Sequence, residues 1–283
     1  LVFADFYKVT LFSTLVLSTG RIENVERLKC KKMARQKGII KLLGTVGDIT
    51  FYKAKEGFLA REKGGVDKSR IMNDPNFQRT RENGEEFGRA GASGKMLRTA
   101  FRAVLLNSAD SRMVGRLTRD MVKVIQADMV SERGKRNVIN GDLALLKGFD
   151  FNINGKLSTT IYAPYTITLD RAEGDVLVDI PAFVPVNMIN APSGTTHFKI
   201  EAAAADVNFN DGSFNVSNAD TGILPYDAVE TTAISLATTL PANSTEPIFL
   251  VLGVEFYQEI NGEKYVLKNG VYNALQLIEV NKA

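Results

Sequence analysis

The chain has 283 residues, 45% of them hydrophobic and 24% charged, enough apolar material for one large or two ordinary cores beneath a solvated surface. Its formal net charge of +3 hides an asymmetry, because residues 1–32 carry +3, residues 33–150 carry +9 and residues 151–283 carry −9. One cysteine, Cys30, and one histidine, His197, exclude an intramolecular disulfide and the usual Cys/His structural zinc sites.

At the start, the apolar run from Val9 to Ser18 is about half the roughly 20 residues a membrane-spanning helix needs. The charges of Arg21, Arg27, Lys29, Lys31 and Lys32 follow that run instead of preceding it, the reverse of a secretory signal. Met33 then opens a strand-like pattern. Residues 1–32 are expected to be a non-native or disordered leader, and a start at Met33 favours a cytoplasmic protein.

From Lys37 to Val66 the text KGIIKLLGTVGDITFYKAKEGFLAREKGGV alternates, with Ile49, Phe51 and Lys53 on one face and Thr50, Tyr52 and Ala54 on the other. Glu56-Gly57 reverses the chain, so the pattern predicts a β-hairpin with Gly44 and Gly47 leading into it. Asp67 to Asn76, with Asp74-Pro75, reads as a polar loop. Between Phe77 and Asp128 the period lengthens to about 3.6. Leu97, Phe101, Val104 and Leu105 share one helical face; Val114, Leu117, Met121, Val124 and Ile125 share another, with Asn107 or Ser108 capping the break. Two amphipathic helices in an antiparallel pair are expected, then a charged connector from Glu132 to Arg136 and a short helix from Val138 to Lys147 stopped by Gly148.

Beyond residue 150 turn signals recur at Asn154-Gly155, Glu173-Gly174, Asp211-Gly212, Asn261-Gly262 and Asn269-Gly270. They separate β-branched runs at 157–169, 175–181, 196–209, 213–217, 230–236, 247–258, 263–268 and 271–280, which predict an antiparallel β-sandwich. The expected fold class is therefore α+β. A basic hairpin-plus-helical region spans 33–150, and an acidic β-sandwich domain spans 151–283.

Catalytic parts are sparse. A serine triad would have to run through His197, which lies in a strand-like context with no nucleophile-elbow sequence. Asp206, Asn208, Asn210 and Asp211-Gly212 approach a calcium loop, but the glycine is one place late and Ser217 stands where the bidentate Glu belongs. The outward face of a hairpin explains them better. Gly88 to Lys95, GRAGASGK, fails the phosphate-loop spacing; its small residues read as close backbone packing or a break before a helix.

The basic residues are more informative. Arg112, Arg116, Arg119 and Lys123 fall at i, i+4, i+7 and i+11 and form one helical stripe, which Arg98 and Arg102 repeat on the preceding helix. Such a stripe suits phosphates, although no helix-turn-helix, zinc-finger or RNA-binding signature accompanies it. These six residues are the candidate surface for nucleic acid or another partner. The opposed charges of the two halves also suit head-to-tail assembly.

Three segments carry a resemblance: KGIIKLLGTVGDITFYKAKEGFLAREKGGV, DPNFQRTRENGEEFGRAG and VEFYQEINGEKYVLKNGVYNALQLIEV. On these the chain resembles a Bacteroidota family of uncharacterised proteins, a domain of unknown function, over about residues 33–281. The resemblance implies an N-terminal hairpin and helices followed by immunoglobulin-like β structure, and it brings no activity, cofactor or functional residue. The resulting expectation is a non-enzymatic structural or protein-interaction protein, a self-assembling subunit in one form. A nucleic-acid-associated protein is the first alternative and a carboxylate-based enzyme the second. No cofactor, small-molecule ligand or membrane span is expected.

Overall fold

The structure is a computed structural model that describes residues 34–62 and 65–282. The expectations for the leader, Cys30 and a start at Met33 lie outside the described residues. The chain divides into two compact units between Asp67 and Lys68.

The first unit is a four-stranded antiparallel sheet of β1 (Ala34–Arg35), β2 (Gly44–Val46), β3 (Ile49–Ala54) and β4 (Gly57–Glu62), in the order β1-β4-β3-β2. The predicted hairpin is β3-β4, in register from Ile49 opposite Glu62 to Ala54 opposite Gly57. Period two places Arg61 over the Tyr52 ring on one face and Lys53 over the Phe58 ring on the other. Leu59 is buried, whereas Ile39, Ile40, Leu43 and Val46 are exposed.

In the second unit the segment read as a polar loop is partly helical: α1 (Lys68–Asn73) is followed by a 3-10 turn (Pro75–Phe77) in which the Asp74 carboxylate accepts from Asn76 N. Next come α2 (Gln78–Ala100), α3 (Arg102–Leu105) and α4 (Met113–Gln126). GRAGASGK lies wholly inside α2, with no break before it. Ala90, Ser93, Gly94 and Leu97 lie on the buried stripe of α2, and a Cβ on Gly94 would stand 3.6 Å from Leu117 of α4, an ordinary contact distance. From α4, Met113, Leu117, Met121, Val124 and Ile125 point inward, while Val114 is exposed. Each such large apolar side chain contributes about 1.5–3 kcal/mol by leaving water. The helix expected over 138–147 shrinks to a 3-10 turn at Leu143–Leu146, capped by Asp142 and ended by Gly148 at φ 85°.

The remaining elements are α5 (Leu157–Thr160), β5 (Thr166–Asp170), β6 (Asp175–Ile180), α6 (Pro185–Met188), β7 (His197–Val207), β8 (Phe214–Asp220), β9 (Leu224–Pro225), β10 (Ile234–Thr239), β11 (Ile248–Ile260), β12 (Glu263–Val266) and β13 (Ala274–Asn281). Each predicted run contains a strand, although 157–169 opens with the short helix α5. β5, β6 and β10 form an antiparallel sheet in the order β10-β6-β5. A six-stranded sheet is built on β7 and β11, which pair antiparallel from His197 opposite Tyr257 to Asp206 opposite Ile248. β8 and β9 flank β7, and β12 and β13 flank β11.

β7 and β11 are buried on both faces, which explains their long uninterrupted apolar runs. Ala203, Ala205, Phe249 and Val251 share a core with Leu97, Phe101, Leu117 and Met121 of the helices. The alternate residues Ile200, Ala202, Ala204, Leu250 and Leu252 share a second core with Val176, Val178 and Leu236 of the smaller sheet. The architecture is mixed α+β with antiparallel sheets. The charge boundary near residue 150 runs through the interior of the second unit, because the basic helices and the acidic strands build one core together.

Candidate functional site

The helical arginines occupy different environments. Arg116 is turned inward, with 19% of its side chain exposed, where it pairs with Asp110 and donates to the carbonyls of Asp150, at 2.6 Å, and Phe151. Its guanidinium also lies 5.2 Å from the centroid of the Phe149 ring. Asp110 accepts from the N–H groups of Arg112 and Ile153; burial raises its pKa, but these donors and Arg116 together lower it. Arg119 and Lys123 both pair with Asp120, at 3.2 and 2.6 Å. Arg98 donates to Gly94 O of its own helix. Arg102 and Arg112 are exposed and make no ion pair among the described residues. The six residues therefore do not form one free cationic face, because a helical wheel shows spacing but not the carboxylates that meet it.

His197 is partly buried, with Nδ1 2.9 Å from Thr196 Oγ1 and Nε2 3.5 Å from Glu259. The Thr196 hydroxyl oxygen already accepts from Glu259 N at 2.7 Å, so it serves strand pairing. Asp206 is not on an outward face as expected; it is buried and accepts from Asn215 N, Asn215 Nδ2 and Ser244 Oγ. Asn208 and Asp211 are spent on turn N–H groups, and no group of three potential metal-ligating side chains is found among the described residues.

A buried ionisable cluster arises where β7 meets β11. Lys199 and Glu201 are two apart on β7 and share the face of Ala203, and Lys199 stands opposite Glu255 of β11. The Lys199 ammonium is 3.1 Å from Glu201 and 2.9 Å from Glu255, and Tyr257 Oη donates to Glu255 at 2.6 Å. Burial raises the Glu255 pKa, but the bonds from Tyr257, Lys199 and Asn107 prevail and hold it below its usual value. Glu201 goes the other way: burial, then the Glu255 charge, push it up to about 7 despite Lys199, and its Oε1 is buried without a partner. One lysine thus holds one carboxylate that ionises readily beside one that keeps its proton well above the usual carboxylate range. Sequence reasoning missed this cluster. Its signal was Lys and Glu at alternate places inside the otherwise apolar runs HFKIEAAAADV and IFLVLGVEFYQ.

Among the described residues no helix is long and apolar enough to cross a membrane. No family model matches the chain, and no curated protein matches it. A solved structure described as concerning pH-induced modulation of Streptococcus parasanguinis adhesion by fimbriae aligns with 41% of this chain and 80% of its own, at 13% identity and a TM-score of 0.21. A likeness that weak carries no argument about fold or role.

Proposed function

We propose that the chain is a non-enzymatic structural protein that self-associates, with the small sheet of the first unit as its contact surface. The observation that carries this reading is the exposure of Ile39, Ile40, Leu43 and Val46 around that sheet. Several exposed apolar side chains close together in the chain are costly in water and favour an association surface. A second copy of the chain is the occupant, since the sheet belongs to the +9 half and the −9 half of another copy supplies complementary charge. The two antiparallel sheets sharing a core support the immunoglobulin-like reading of the C-terminal region as a packing module. The nucleic-acid reading keeps Arg102 and Arg112 but loses Arg116 to the interior.

Light scattering on the full chain across a wide concentration range tests the proposal. Oligomers that dissociate in Ile40→Asp/Leu43→Asp, and that weaken between about 0.05 and about 0.5 M salt, are expected. A monomer at every concentration overturns it.

A further inference from the structure

A cleft of about 300 Å³ opens in the second unit between three segments distant in sequence, contributing Asn154 and Thr159, Asn190 and Ser193, and Lys268 and Tyr272. That volume is at the lower end for small-molecule sites.

Its walls are fixed from behind. The Asn152 side-chain amide donates to Val271 O at 2.9 Å and to Asn273 O at 2.8 Å, tying the first wall to the third. Asn190 N donates to Thr160 O at 2.8 Å and its Nδ2 to Thr159 O at 3.2 Å, tying the second to the first. Gly155 has no space for a side chain, since a Cβ would stand 2.5 Å from Asn273 O and 2.6 Å from Tyr272 O.

The third wall holds an unusual backbone. Lys268 and Asn269 are both left-handed, at φ 47° and 54°, and Gly270 follows at 74°. Two consecutive non-glycine residues in this region cost on the order of 1–3 kcal/mol each, and such strain clusters at ligand sites. Its result here is a placed cation: the Lys268 ammonium lies 5.2 Å from the centroid of the Tyr272 ring at the edge of the cleft.

The lining contains no carboxylate, and Lys268 makes no ion pair among the described residues. The cleft is thus a single positive charge, an aromatic ring, and a set of hydroxyls and amides, set in the half of the chain that carries −9. We propose that it binds a small anionic polyol, in chemical terms a sugar acid. The carboxylate would take Lys268, the hydroxyls would exchange bonds with Asn154, Asn190 and Ser193, and the ring's C–H edge would lie along Tyr272. The site lies wholly within the second unit and does not depend on self-association.

The test is titration of the full chain with D-glucuronate, followed by ligand-observed NMR, with methyl glucoside, acetate and inorganic phosphate as comparison probes. Saturable binding of glucuronate is expected, at least about tenfold tighter than any of the other three. Lys268→Asn, a residue that tolerates the left-handed backbone, should weaken it about tenfold with circular dichroism unchanged. Should that variant unfold, Tyr272→Ala gives the same reading. Absence of saturable binding, equal binding of acetate or phosphate, equal binding of methyl glucoside, or a folded Lys268→Asn that binds as well as wild type each overturns the proposal.

Discussion

Lys199 on β7 faces Glu255 on β11 across the centre of the six-stranded sheet, and its ammonium, 2.9 Å away, reaches Glu201 as well. One cation shared by two buried carboxylates makes the stability of this sheet depend on pH.

Glu201 titrates at about 7 in the folded chain against an ordinary 4.5. A raised carboxyl pKa contributes stability fully below pH 4.5, and that contribution disappears as pH climbs through about 7. The interval corresponds to a loss on the order of 3 kcal/mol. Urea midpoints of the wild type should fall between about pH 5 and pH 8, and those of Glu201→Gln should stay level. Parallel profiles for the two proteins would show that Glu201 is not the titrating group.

Removing the cation alone should cost more than removing the whole cluster. Lys199→Met leaves Glu255 buried with Tyr257 but without its cation and should cost about 3–5 kcal/mol in urea unfolding. In a Glu201→Gln/Glu255→Gln background the same substitution should cost about 1 kcal/mol or less, so a double-mutant comparison reads the coupling directly.

Arg116 and its neighbours on α4 separate structure from surface. Arg116→Ala strips donors from Asp110 and from the Asp150 and Phe151 carbonyls, and should lower stability by about 2–4 kcal/mol. Arg119→Ala and Lys123→Ala, which each remove an exposed cation and leave the other on Asp120, should change the thermal midpoint far less. If the reverse order were measured, the inward placement of Arg116 would be wrong.

Asp128 accepts three backbone N–H groups, from Val130, Ser131 and Asn137, and is fully buried. Burial raises its pKa, but the bonds from Ser131, Asn137 and Val130 bring it down to about 2. Its contribution is present above pH 3.8 and vanishes as pH falls through about 2. Asp128→Asn should lower the melting temperature by several degrees at pH 7 and by much less near pH 2, as scanning calorimetry would show.

Two glycines predict opposite outcomes. Gly155→Ala drives a methyl group into the Asn273 and Tyr272 carbonyls and should cost about 1–3 kcal/mol. Gly94→Ala meets only ordinary contacts with Leu117 and Met121 and should be neutral or stabilise α2 by up to about 1 kcal/mol. Thermal melts of the two variants decide.

Local pattern identified the β3-β4 hairpin, the burial of Leu97, Phe101, Val104 and Leu105, every residue of the α4 face except Val114, and a strand within each C-terminal run, since period and turn chemistry act over a few residues. It did not show that α2 continues through GRAGASGK, because the helix is stabilised there by the burial of Ala90, Ser93 and Gly94 in the folded chain, which propensity does not report. Nor did it separate Arg116 from Arg119, since what differs is Asp110, Phe149 and the 150–151 carbonyls, brought together only by folding. The Lys268 cleft was hidden for the same reason: Asn154, Asn190 and Tyr272 are far apart along the chain.

The double-sided burial of β7 and β11 has a practical consequence for anyone dissecting the chain. A fragment cut at residue 151, where charge and periodicity both change, would keep the strands but lose the helices that cover Ala203, Ala205, Phe249 and Val251. It would leave a greasy wall open to water and be recovered in inclusion bodies. The cut that spares both cores lies between Asp67 and Lys68.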